Sequence, residues 1–172
     1  FQKKAEQCNV KDIEECIIAY VRTLNSTNSP YDMFLKGNQS ALNASEQNGF
    51  KLFTSKKLKC NHCHPAPLFT LANLTNNPDS VYATAKSQDN GKFKIPSLRN
   101  CILTAPYMHD GSVNTLEEVI DIYARGGRNV LYGDAKGDGS MHPNKHKHIK
   151  GFKISQSEKR DLINFLASLT DT

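Results

Sequence analysis

Cys60-Asn61-His62-Cys63-His64 is the stretch on which the reading of this chain turns. Its spacing is C-x-x-C-H, the pattern of covalent c-type haem attachment. In that chemistry two thiols add across the two vinyl groups of one porphyrin, and the two residues between them set the sulfur separation. The adjacent histidine reaches the iron as proximal ligand through a neutral imidazole nitrogen. Cys60, Cys63 and His64 are therefore the expected attachment and ligand residues. Other uses of such a pair fit less well. Structural zinc takes four ligands, and no second C-x-x-C accompanies this one. A thioredoxin-like redox pair belongs to a βαβ unit, and nothing around these residues reads as one. His62 reads as an exposed spacer.

Bulk properties frame the motif. A chain of 172 residues, 38% hydrophobic and 23% charged, has room for one ordinary domain with a core. Ten glycines, seven prolines and no tryptophan, with a mean hydropathy of −0.56, predict many loops. A porphyrin would add apolar core that such side chains lack. The net charge of +5 is mild and the lysines are scattered, which argues against nucleic acid and leaves a docking face for an acidic partner open. No apolar run approaches the ~20 residues that cross a bilayer, so no membrane span is expected. The chain opens at Phe1 on a charged segment and reads as a processed chain or a fragment. Because haem c is attached after export, a periplasmic or otherwise exported location is expected. An oxidising compartment would let Cys8 pair with Cys16, unless one helix carries both and holds them apart. Cys101, in the run Cys101-Ile102-Leu103, reads as a small buried hydrophobe.

Taken in order, residues 11–24 place Ile13, Cys16, Ile17, Tyr20 and Val21 on one helical face, and Asn25 to Pro30 supply turn formers that end it. Tyr31 to Asn43 reads as an irregular connector. A second helix is expected from Asn43 or Ser45 to about Lys57, followed by the basic run Lys56-Lys57-Leu58-Lys59. Pro65 to Pro96 has no sustained periodicity and predicts a long loop draped over the haem. Thr115-Leu116-Glu117-Glu118 is a capping box opening a helix that Gly126-Gly127 halts. Asn129 to Lys150, with His142, His146 and His148, reads as a polar loop. Ser155-Gln156-Ser157-Glu158 is another capping box and opens an amphipathic C-terminal helix with Leu162, Ile163, Phe165, Leu166 and Leu169 on its packing face.

The residue types leave the far side of the iron open. A haem c electron carrier commonly uses methionine as sixth ligand, and of Met33, Met108 and Met141 the second is best placed, in Thr104-Ala105-Pro106-Tyr107-Met108-His109. A packing role for Met108 weighs equally, and His109, Tyr107 and Tyr123 carry donors that spacing cannot rank. Arg99 is a candidate partner for a haem propionate, since a guanidinium matches a carboxylate bidentately; a surface arginine is a reading of equal weight.

A family resemblance narrows this. Phe93-Lys94-Ile95-Pro96-Ser97-Leu98-Arg99-Asn100, then Leu103 to Gly111, then Thr115-Leu116-Glu117-Glu118-Val119, resemble the C-terminal haem domain of bacterial di-haem cytochrome c peroxidases and the related MauG group. Cys60 to His64 with Pro67-Leu68-Phe69-Thr70 fit the same pattern, as do Leu162 to Thr170, so the likeness runs from about Ile18 onward. It implies a mostly α-helical, cytochrome-c-like haem domain with long loops. It also implies a second haem domain beside this one, in which peroxide reacts while the C-terminal haem takes in electrons. A calcium ion between the two would be held partly by backbone carbonyls at Thr104 and Pro106. The family's sixth ligand falls on the helix after Thr-Leu-Glu-Glu, as Met in the peroxidases and Tyr in MauG-like members; this chain has Tyr123 there, which moves the expectation from Met108 to Tyr123.

The expected organisation is an N-terminal helical segment (1–30) linking to a further haem domain, then a cytochrome-c-like haem domain (31–172). With a single C-x-x-C-H, the peroxide-reacting half would be separate from this chain, and Cys8 and Cys16 fall outside the family's motifs. The expected function is electron relay for a di-haem peroxidase or MauG-like oxidase, with one covalent haem c, possible calcium, a second haem domain or subunit and a redox protein donor. The alternative is a mono-haem relay cytochrome indifferent to peroxide; a structural or ligand-sensing haem is a third reading.

Overall fold

The structure is a computed structural model, and it describes residues 8–71, 94–132, 136–141, 146 and 148–171. Five α-helices lie within them: α1 (Val10–Val21), α2 (Pro30–Leu35), α3 (Ala44–Thr54), α4 (Leu116–Arg125) and α5 (Gln156–Ala167). The fold is mostly helical, as the sequence predicts. Each helix opens on a capping box, with Asn9/Asp12, Ser29/Asp32, Asn43/Glu46, Thr115/Glu118 and Ser155/Glu158 as the reciprocal pairs. Such a box satisfies N–H groups at the helix start that the helix itself cannot.

The irregular connector expected over Tyr31–Asn43 is instead α2 plus a short 3₁₀ turn at Gln39–Ala41. Pro30, expected among the turn formers that end the preceding helix, occupies the first turn of α2, where a missing N–H is harmless and a fixed φ suits the helix. The helix expected to reach Lys57 stops at Thr54. The predicted stop after α4 holds: Gly126 adopts φ 87°, a left-handed cap that glycine reaches without a Cβ penalty. The polar loop after it contains a two-residue hairpin, β1 (Asn129–Val130) against β2 (Gly137–Asp138), too short for alternation to announce it. The loop expected over the haem falls largely on residues 72–93, outside the described residues.

Packing centres on α3 against α5. At their crossing Gly49 is buried, and a Cβ there would meet the Asp161 carbonyl oxygen at 2.0 Å. Around the crossing Tyr31, Phe53, Phe69 and Phe165 form an aromatic cluster, with ring centroids at 5.2 Å for Tyr31–Phe69 and 5.2 Å for Phe53–Phe165. Leu42, Leu162, Leu166 and Leu169 close the core, and Cys101 is buried with them as a small hydrophobe. α4 is tied to this core by the ion pair of Asp121 with the buried Lys159 of α5.

α1 differs from its sequence reading in its surroundings. The helix forms, but Val10, Ile13, Ile17, Tyr20 and Val21 are all more than half exposed. The face predicted to pack is uncovered by the described residues. Cys8 and Cys16 are not joined by a disulfide.

Candidate haem site

The motif is presented at the end of a short descent from α3. Ser55 caps the helix and receives the Leu58 N–H at 3.2 Å through its hydroxyl and the Lys59 N–H at 2.9 Å through its carbonyl. Lys59 then takes φ 57°, the left-handed region, and turns the chain into a 3₁₀ segment at Cys60–His62. The Cys63 and His64 N–H groups both donate to the Cys60 carbonyl, at 3.2 and 2.9 Å. One compact turn thus holds both thiols and the imidazole. Burial pushes the Cys60 thiol up to about 12, so it stays protonated at neutral pH.

His64 is set for ligation by its other nitrogen. Nδ1 lies 3.0 Å from the Phe69 carbonyl oxygen and 3.1 Å from that of Pro96. Carbonyls only accept, so Nδ1 carries the proton and Nε2 the lone pair. Burial holds the His64 pKa below its ordinary value, outweighing the two carbonyls, which act the other way. A neutral ring with a fixed tautomer and a basic Nε2 is the form in which histidine binds a metal.

Those two carbonyls are themselves held in place. Thr70 donates to the Ile95 carbonyl at 2.6 Å, Ser97 to that of Leu68 at 2.5 Å, and Arg99 Nε to that of Pro67 at 2.8 Å, stapling residues 67–70 to 95–99. Phe69 adopts φ 53°, unusual for a bulky side chain and worth about 1–3 kcal/mol of strain. Its ring, only 1% exposed within the aromatic cluster, holds that conformation. Core packing is therefore what aims the Phe69 oxygen at His64.

Arg99 has a partner inside the fold. Its guanidinium forks onto Asp32, with 2.8 and 2.7 Å bonds to the two carboxylate oxygens, and the side chains are 6% and 10% exposed. It is not a surface arginine: a carboxylate inside the fold engages its fork. Asp32 also accepts from the Ser29 N–H and hydroxyl, so one residue caps α2 and anchors the loop behind the motif. This role is invisible in sequence because Asp32 and Arg99 stand 67 positions apart.

Tyr123, on α4, is 41% exposed. Desolvation nevertheless raises its pKa, and the Cys63 and Cys60 thiols add to the rise. Both motif sulfurs lie within electrostatic reach of its phenol oxygen. Met108 stands at φ 70° in the turn between Tyr107 and Val113, whose backbones bridge. The carbonyls of Thr104 and Pro106 accept no hydrogen bond among the described residues. His62 is exposed, as expected of a spacer, and its ring lies 5.2 Å from that of His148, itself 5.1 Å from His146. Among the described residues no group of three or more His, Cys, Asp or Glu is placed to hold a metal ion, and His142 lies outside them.

Two thiols and one imidazole with an open Nε2, presented by a single turn, fit a covalently attached haem. No family model matches the sequence. Cytochrome c peroxidase IdrP2 of Denitromonas iodatirespirans is 33% identical over 88% of this chain and 46% of its own length. The methylamine utilization protein MauG of Methylorubrum extorquens is 32% identical over 95% of this chain and 45% of its own. The chain is a relative of the cytochrome c peroxidases and of MauG. Among solved structures, a MauG-like protein associated with microbial copper homeostasis superposes with a TM-score of 0.76 at 37% identity, over 98% of this chain and 59% of that one. The diheme peroxidase BthA of Burkholderia thailandensis shares the fold, with a TM-score of 0.59 at 20% identity over 84% of this chain and 46% of its own. This peroxidase and MauG relative spans about half the length of the curated proteins it matches. No described helix is long and apolar enough to cross a membrane.

Proposed function

We propose that this chain is a c-type haem module that relays electrons in a di-haem peroxidase or MauG-like oxidase. The observation that carries the reading is the pre-set His64, whose Nδ1 is engaged by two carbonyls and whose Nε2 is left for iron. The haem, when bound, supplies one-electron redox chemistry. The protein's part is to anchor it through Cys60 and Cys63, to hold His64 neutral, and to offer the Tyr123 oxygen as sixth ligand. A phenolate donor favours the ferric state and a low potential.

Several features support the wider assignment. The relatives carry peroxidase and MauG names, and the solved relative BthA is a diheme protein. The uncovered apolar face of α1 suits residues 1–30 as a connection to a second haem domain, leaving 31–172 as the haem module. The Thr104 and Pro106 carbonyls, with no acceptor role among the described residues, are the proposed calcium donors. An exported, periplasmic setting follows from the attachment chemistry.

Three measurements test this. Denaturing mass analysis of the native protein is expected to give the polypeptide mass plus one haem; the bare mass with both thiols unmodified would end the haem reading. In the loaded protein, Tyr123→Phe is expected to shift the ferric absorption spectrum toward five-coordinate or water-ligated iron, while Met108→Leu leaves it unchanged. The reverse pattern would move the sixth ligand to Met108. With the second haem domain restored, turnover of hydrogen peroxide separates this role from that of a mono-haem relay.

A further inference from the structure

A concave pocket of about 390 Å³ opens beside the motif, between residues 56–59 on one side and 148–152 on the other. Its walls bring together Lys56, Lys57, Lys59, Lys150 and His148, with Leu58 and Phe152 as apolar lining. Lys57 is neutralised by Glu158 at 2.6 Å. Lys56, Lys59 and Lys150 pair with no carboxylate among the described residues, and all three are exposed. Like charges gathered in a concavity repel one another, and apolar walls focus their field toward the mouth. Lys59 moreover holds φ 57°, a conformation glycine would adopt without strain, and its successor is Cys60. An unbalanced positive cavity thus abuts the residue that begins the attachment turn.

We propose that this pocket receives the acidic lobe of a redox protein partner, seating its carboxylates against Lys56, Lys59 and Lys150 and bringing its redox centre up to the haem-bearing turn. The proposal rests on the haem reading above and identifies where the partner docks. A small inorganic anion suits the pocket less well, because exposed lysines and an open mouth leave such an ion hydrated. A protein lobe brings several carboxylates at once and expels that water. In the docked pair one electron leaves the reduced partner, which departs oxidised by one, and the ferric haem becomes ferrous.

The test uses the haem-loaded chain and two reductants, a reduced plant-type [2Fe–2S] ferredoxin as strongly acidic protein probe and the methyl viologen radical as small cation. For Lys56→Glu/Lys59→Glu/Lys150→Glu, the ferredoxin rate constant at low ionic strength is expected to fall about ten-fold or more, with the gap closing as salt rises. Viologen reduction is expected to keep its rate or quicken. Lys11→Glu/Lys36→Glu/Lys94→Glu, an equal charge change outside the pocket, is expected to lower the ferredoxin rate far less. Equal losses in the two variants overturn the docking site, as does saturable inhibition of the ferredoxin reaction by inorganic phosphate at constant ionic strength that the first variant abolishes. A wild-type chain that viologen cannot reduce overturns the haem reading, and this proposal with it. Lys56→Glu/Lys150→Glu leaves the residue before Cys60 untouched and serves if the triple variant loads haem poorly.

Discussion

Gly49→Ala is expected to destabilise the folded chain by about 3 kcal/mol or more, at the top of the range for overpacked cores. A Cβ at this position would lie 2.0 Å from the Asp161 carbonyl oxygen and 2.6 Å from Phe165 Cβ. Neither neighbour can swing away, since one is helix backbone and the other the first atom of a fully buried side chain. α3 and α5 would have to separate, opening the aromatic cluster that aims Phe69 at His64. The gain of about 1 kcal/mol in helix propensity from glycine to alanine does not offset this. A urea titration followed by far-ultraviolet circular dichroism measures the loss. Gly37→Ala is the control: nothing lies within 4 Å of its Cβ position, and only its φ of 103° opposes the change. The Gly37 variant is expected to lose about 1 kcal/mol, since strain of that kind is local. Similar losses at the two positions would refute the account of the helix crossing.

Arg99→Met is expected to lower stability by about 3–5 kcal/mol, the range for breaking a buried ion pair from one side. The variant leaves the Asp32 carboxylate nearly enclosed and without its cation. Asp32→Asn/Arg99→Met, which removes both charges and keeps an acceptor for the Ser29 N–H, is expected to recover much of that loss, because no buried charge is then left unpaired. Acid dependence gives a second readout. The Arg99 guanidinium, followed by the Ser29 hydrogen bonds, holds the Asp32 carboxyl well below the usual carboxylate range, despite opposing desolvation. In the unfolded chain this carboxyl titrates near its ordinary value, about 4. The stabilisation is therefore complete at neutral pH, declines as pH falls below about 4, and is lost as pH passes the lowered folded value. Through that window the unfolded state binds the extra proton, so stability rises with pH. In Arg99→Met this part of the stability-against-pH profile is expected to flatten. An unchanged acid limb would mean that Asp32 does not draw its stabilisation from Arg99. The haem-site consequence follows from Pro67: once Arg99 Nε leaves its carbonyl, the segment presenting Phe69 to His64 loses one of its three staples.

Much of this was open to sequence reading because the physics is local. C-x-x-C-H needs only five consecutive residues, and a capping box needs four, so the cofactor chemistry and the starts of α3, α4 and α5 could be read directly. The stop at Gly126 followed from glycine's tolerance of a left-handed cap. The start of α2 is equally local, yet Pro30 reads as a terminator unless Ser29 with Asp32 is seen to make it a first-turn residue.

The remainder depended on partners distant in sequence. Which carboxylate engages Arg99, which carbonyls orient His64, and whether the α1 stripe is covered depend on how the chain returns on itself, and no periodicity encodes that. The sequence alone determined that an imidazole and two thiols share one turn and about where α3, α4 and α5 begin. Only the tertiary structure decided that Phe69 and Pro96 turn Nε2 toward the site, and that Asp32 takes Arg99 inward. Side-chain type and spacing are covalent facts of the chain, whereas a tautomer and an ion pair are set by whatever packing brings within hydrogen-bond reach.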